Sequence, residues 1–203
     1  MRRHAVACSS AALLAAILYL NALSNPFVYD DHRMVVENTG IQDLADLRAI
    51  VFLEPTRPLI NFSYAVDYAI WGLNPFGFHL TNVLLHVLNV VLLFQLAVRM
   101  VHDRAAGQQP RKDPGAVALA AALLFAAHPM MSQTVGYIAS RPELLCGAFF
   151  LLALMAGRRW MLGGGGQWWG LTLVCWIAAL ASKEVAGMFP FVLLLYERLI
   201  LSL

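Results

Sequence analysis

Charge is what this sequence lacks most. Only 13% of its 203 residues are charged, against 60% hydrophobic, where a soluble domain carries about 25% charged residues. That deficit excludes an ordinary soluble globule and points to an integral membrane protein. An excess of either sign is missing too. The net charge is +2, and no basic block interleaved with aromatics appears, so nucleic acid is not a partner. Cysteine is confined to Cys8, Cys146 and Cys175, all inside apolar runs, which implies neither a disulfide framework nor a zinc motif. There is no Gly-x-Ser-x-Gly, no His-Glu-x-x-His and no cysteine set against a histidine. Serine, zinc-protease and thiol chemistry therefore have no support. The run Gly163 to Gly166 lacks the Gly-Lys-Ser/Thr of a phosphate loop and reads as a connector.

What the sequence does have is long apolar runs. A spanning helix needs about 20 mainly apolar residues. Six candidates occur, at 5–24, 78–101, 115–131, 143–157, 168–182 and 186–203. They predict an all-α polytopic membrane protein of about six spans. Met1-Arg2-Arg3-His4 before the first run resembles a signal peptide. Further spans follow, so an uncleaved first span is the reading. Alternate loops differ in charge. Arg2, Arg3, Arg99, Arg104, Arg111, Lys112, Arg158, Arg159 and Arg198 fall on one side; Arg33, Arg48, Arg57, Arg141 and Lys183 fall on the other. The first, richer side is expected in the cytoplasm together with the N-terminus. Most carboxylates, Asp30, Asp31, Glu37, Asp43, Asp46, Glu54, Asp67, Glu143 and Glu184, fall on the outer side.

The first outer loop, residues 25–77, predicts two interfacial helices. Thr39-Gly40-Ile41-Gln42 has capping-box spacing, and Ile41, Leu44, Leu47 and Val51 follow on one helical face. A second amphipathic run begins at Pro58, with Leu59, Phe62, Val66 and Ile70 on one stripe. Gly72-Leu73-Asn74-Pro75 ends it. Trp71, Phe76 and Phe78 are expected at the outer membrane edge, and Trp160, Trp168 and Trp169 at the inner one.

Candidate chemistry begins at Val28-Tyr29-Asp30-Asp31-His32-Arg33, just past the first apolar run. Charge near a bilayer is costly and usually functional. The second span opens with His79, Asn82, His86 and Asn89, a polar stripe on one helix face. Such a stripe serves interhelical hydrogen bonding, or a wet pathway as in a transporter. Outer cations Arg57, Arg141 and Lys183 suit a phosphate group, and a carboxylate facing them suits a general base on a hydroxyl. Asp30 and Asp31, with His32 and His79, could also ligate a divalent metal, though no spacing is diagnostic.

Several stretches together resemble a known family. They are Phe27-Val28-Tyr29-Asp30-Asp31, Arg57-Pro58-Leu59, Gly72-Leu73-Asn74-Pro75, Phe78-His79-Leu80-Thr81-Asn82, His86 and His128-Pro129. Ser140-Arg141-Pro142-Glu143-Leu144-Leu145 and Ser182-Lys183-Glu184 complete the set. The sequence is similar to the transmembrane and tetratricopeptide-repeat O-mannosyltransferases and their bacterial relatives, of the GT-C glycosyltransferase fold. The similarity covers about residues 15–198, and the whole chain is expected to form one membrane module, an N-terminal portion in family terms. It implies a polyprenyl- or dolichyl-phosphate sugar as donor and a protein hydroxyl as acceptor, handled at the non-cytoplasmic face. It also implies catalytic roles for Asp30 and Asp31. Arg57, His79, Arg141 and Lys183 become candidates for the donor phosphate, with Glu143 and Glu184 orienting them. Relatives continue with more spans and a helical-repeat domain, and no tetratricopeptide pattern is present here. A non-catalytic scaffold and a transporter are the competing readings.

Overall fold

The computed structural model describes residues 2–52, 57–105 and 113–201. Every regular element among them is helical, as an all-α membrane protein requires. The long helices are α1 (Arg2–Leu18), α4 (Pro75–Arg104) and α7 (Arg141–Met161). The shorter ones are α2 (Leu47–Phe52), α3 (Pro58–Trp71), α5 (Pro114–Ala126), α6 (Pro129–Gly136), α8 (Gly166–Leu180) and α9 (Phe189–Tyr196). Glu54, Arg111 and Lys112, placed in loops by sequence, lie outside the described residues.

Among the described residues, three helical stretches are long and apolar enough to cross a membrane: Arg3–Ser24, Pro75–Arg104 and Ile138–Met161. The pair α5 and α6, bent by 60°, makes a fourth if it counts as one span. The sequence count of six treated each apolar run as straight and independent. Pro129 breaks the third run, because proline has no N–H to continue the ladder. His128 caps the new start, its Nδ1 accepting the Met130 N–H at 3.3 Å. The fifth run yields a helix of 15 residues, short of a full crossing. The sixth holds α9, whose 8 residues are followed by a π-helical turn over Glu197–Leu201.

α4 is the central element. It packs along α1, α5 and α7, while α8 packs along α7. Small residues allow close approach where α1, α4 and α5 meet: Ala11, Ala15, Ala118, Ala122 and Ala126 are all fully buried against Val90 and Phe94. Small side chains at helix contacts are the usual solution in lipid, where packing rather than water exclusion holds helices together. Outward positions such as Leu84, Leu124, Val174 and Ile177 stay exposed, as lipid-facing residues do.

The first outer loop folds differently from expectation at its start. Thr39–Ile41 forms a 3-10 turn, and its cap is Asn38, whose Oδ1 accepts the Gly40 N–H at 3.1 Å. No helix runs on from it. α2 starts only at Leu47, where Asp46 Oδ1 accepts the Ala49 N–H at 2.9 Å. α3 begins at Pro58 as predicted. Its Phe62 and Ile70 are exposed, while Ile60, Asn61, Tyr64, Ala65 and Asp67 are buried, so the apolar stripe faces outward and the mixed face packs. Gly72, at φ 58°, supplies the left-handed turn that ends α3. Asn74 Oδ1 then accepts the Phe76 N–H at 3.1 Å and caps α4. Phe78 is core rather than membrane edge, fully buried beside Tyr64 and Phe27.

Candidate functional site

The two neighbouring carboxylates of the acidic turn have opposite fates. Asp31 is fully buried. One of its oxygens accepts the Val28 N–H at 3.1 Å and the other the Ala139 N–H at 2.8 Å. Burial pushes its carboxyl above the usual carboxylate range, and those two amides hold it back. Asp31 is thus a tie between the first outer loop and the turn before α7. Asp30 is exposed. Its N–H donates to the Tyr137 hydroxyl at 2.9 Å. Tyr29, just before it, sits at φ 46° and is 88% exposed. A non-glycine residue in the left-handed region is strained and persists only where its surroundings over-determine it. Here the Asp31 and Tyr137 anchors do so, and they leave Asp30 facing outward.

The segment Tyr137–Arg141 gathers most of the remaining polar groups. Tyr64 Oη donates to the Ile138 carbonyl at 2.9 Å, and Asn82 Nδ2 donates to the Tyr137 carbonyl at 3.1 Å. Arg141 is fully buried. Its Nε donates to Asn82 Oδ1 at 2.9 Å, Nη1 to Ser63 Oγ at 3.2 Å, and Nη2 to the Phe78 carbonyl at 2.9 Å. Nη1 also lies 2.6 Å from Asp67 Oδ2, an ionic contact off the ideal hydrogen-bond direction. Thr81 Oγ1 donates to the other Asp67 oxygen at 2.7 Å. The guanidinium lies 4.5 Å from the centre of the Tyr64 ring. With its donors so engaged, Arg141 cannot contact a phosphate directly. Its expected role is corrected to that of an internal clasp joining α3, α4 and α7.

His79 is likewise fully buried. α4 begins one turn before it and the first loop covers it. The Asn25 and Pro26 carbonyls approach its ring without meeting hydrogen-bond geometry. It too is removed from direct phosphate contact. The rest of the polar stripe serves helix association: Asn89 Nδ2 donates to the Leu144 carbonyl at 2.9 Å, and His86 Nε2 lies 3.4 Å from the Ala126 carbonyl. Asn89 also lines the cavity described next, and its Oδ1 has no hydrogen-bond partner among the described residues.

Four of the expected residues do come together at this end. Lys183 Nζ lies 2.7 Å from Glu143 Oε1, and Arg57 Nη2 lies 3.5 Å from Glu184 Oε2. Glu143 and Lys183 also form the polar rim of a cavity of about 450 Å³. Its walls are apolar, with Leu93, Phe125, Cys146, Phe150 and Met188 among them. No ion pair joins Asp30 or Asp31 to Arg57, Arg141 or Lys183 among the described residues. Nor do three His, Cys, Asp or Glu residues converge as metal ligands there. Both oxygens of Asp31 already accept backbone amides while Asp30 faces away, so the pair does not fit a chelating site.

Sequence reasoning missed Asp67 and Tyr137 as members of this network. Asp67 had a signal: it is the one charged residue in all of Pro58–Trp71. Tyr137 had none, since its partner lies more than a hundred residues away.

Comparison with known proteins gives a consistent set of relatives. Protein O-mannosyl-transferase Tmtc1 of Drosophila melanogaster is 35% identical over 189 residues, covering 85% of this chain and 20% of the relative. Protein O-mannosyl-transferase Tmtc2 of the same organism is 30% identical over 199 residues, covering 88% and 20%. Protein O-mannosyl-transferase TMTC4 of Homo sapiens is 31% identical over 159 residues, covering 70% and 21%. The chain thus spans about a fifth of the length of the curated relatives it matches. No family model and no solved structure matches it.

Proposed function

This chain is homologous to one part of the protein O-mannosyl-transferases, and from that premise we propose that it forms the catalytic membrane portion of a glycosyltransferase. In this reading a mannose-like sugar passes from a polyprenyl- or dolichyl-phosphate to a protein hydroxyl. The N-terminus is cytoplasmic, and the acidic turn faces the periplasm, the exterior or an organelle lumen. The charge bias of the loops supports that orientation.

The observation that carries the reading is the placement of Asp30. It is the outward-facing carboxylate of a strained, doubly anchored turn. It lies at the same end of the molecule as the Arg57, Glu184, Lys183 and Glu143 cluster. Asp30 takes the proton of the acceptor hydroxyl as that oxygen bonds to the anomeric carbon. The bond from that carbon to the phosphate oxygen breaks, and the lipid phosphate leaves with the electron pair. Lys183 and Arg57 stabilise its charge once they turn from their carboxylate partners. Both cations are partly exposed, so that exchange opens no buried core. The apolar cavity below Lys183 suits the first isoprene units of the donor lipid.

The test is transfer of labelled mannose from a polyprenyl phosphate to an acceptor peptide, in the chain and in its Asp30→Asn variant. Loss of about 10²–10⁴-fold in rate is expected for removal of a general base. Transfer at the parent rate by the variant would remove Asp30 from the reaction.

A further inference from the structure

We propose that the opposite end of the bundle holds a second ligand site, for the phosphate and upper acyl chain of an anionic phospholipid. A cavity of about 420 Å³ lies there between α1 and the later turns of α4. Its walls are Ala5, Cys8, Phe94 and Val98, and its polar lining is His4, Gln95 and Arg99. Arg99 is partly buried, yet its one hydrogen bond is to neutral Gln95 Oε1 at 3.3 Å. Among the described residues no carboxylate pairs with it. Asp103, one turn further on, is occupied by Arg158 through two contacts of 2.5 and 2.6 Å and by the Tyr196 hydroxyl at 2.7 Å. Asp113, which is exposed, caps α5 through one oxygen, its Oδ1 accepting the Gly115 N–H at 3.0 Å, and forms no ion pair with Arg99 among the described residues. Arg99 feels Asp103 only at a distance, through a carboxylate it shares with Arg158; a partly buried guanidinium with no carboxylate of its own is costly, and an anion entering the cavity offsets that cost.

Depth identifies the anion. α4 has 30 residues, about 45 Å at 1.5 Å per residue, so it overhangs a hydrocarbon core of about 30 Å. Arg99 lies about 8 Å from the end of α4, which sets it at the edge of the hydrocarbon, where lipid phosphates sit. A free phosphate ion shares the headgroup chemistry but has no use for the apolar walls. A phospholipid uses both.

The test is native mass spectrometry and thermal unfolding of the detergent-purified chain, with phosphatidylglycerol, phosphatidylcholine or inorganic phosphate added. Phosphatidylglycerol is expected to bind and stabilise in preference to phosphatidylcholine. Arg99→Gln should weaken it about tenfold, the worth of a charge-assisted contact. Val98→Trp, which fills the cavity without touching charge, should weaken it as well. Arg104→Gln removes a cation at the same end that is engaged with the Leu199 carbonyl, and should leave binding unchanged. Unaltered lipid binding in Arg99→Gln, equal loss in Arg104→Gln, or equal protection by inorganic phosphate would each overturn the proposal.

Discussion

α7 carries an arginine clasp at each end, fully buried at Arg141 and partly buried at Arg158, and the two are built on opposite electrostatic terms. Arg158 lies in the last turn, where the negative end of the helix dipole favours a cation, and it grips Asp103 with two parallel contacts. Arg141 is the first residue of the same helix, where the dipole opposes it. It is held by one carboxylate, two side-chain oxygens, a carbonyl and an aromatic face. The first arrangement stabilises α7 against α4 by ordinary means. The second needs α3, α4 and α7 to be assembled together, and it lies beside the turn that presents Asp30. The difference teaches that an arginine near a candidate site can be there to build the site's floor.

The largest stability effect should come from the unfavourable end. Arg141→Met or Asp67→Asn alone leaves a buried charge unpaired and should cost about 3–5 kcal/mol. The double change Asp67→Leu with Arg141→Met should recover much of it. Unfolding in mixed detergent measures all three. Arg158→Gln is next, at about 2 kcal/mol, the scale of hydrogen bonds to a charged group. It should leave sugar transfer within about twofold. Equal costs at the two ends would erase the contrast. Tyr137→Phe should cost about 1 kcal/mol of stability but lower kcat more than it raises KM, because the phenol anchors the backbone N–H of Asp30. The smallest effect is at the rim. The Glu184 backbone N–H, and then Arg57 and Lys183, hold the Glu184 carboxyl below its ordinary value of 4.5. A lowered folded-state value means that its contribution is present above that ordinary value and disappears as pH falls through the lowered one. An NMR titration of Glu184 should therefore show the carboxylate persisting below pH 4.5.

Much of this was legible in the sequence because it rests on local rules. The apolar runs, Pro58 opening α3, and the turn from Gly72 through Asn74 into α4 each need only near neighbours to be read. So does the gathering of Lys183 and Glu184 with Arg57 and Glu143, once alternate loops are assigned to one side. What the sequence concealed depends on partners far along the chain. Asp30 and Asp31 are adjacent and chemically alike, yet one faces out and the other in. Ala139 and Tyr137 decide that, and nothing near residue 30 announces them. Arg141 and His79 looked available because their burial is produced by α3 and the first loop folding over them. The bend in the third run and the shortness of the last helices were not legible, because apolar length alone does not register a bend.

The clasp at Arg141 also sets an order of events during synthesis. Asp67 leaves the ribosome before α4, α5 and α6, and its partner arrives only with the start of α7. Until then α3 carries an unmatched acid on the face it must bury, so it has reason to wait at the membrane surface. Three further helices, α4 to α6, have therefore to be delivered before α3 can settle on α7, and a chain interrupted anywhere in that interval would remain open to proteases at this point.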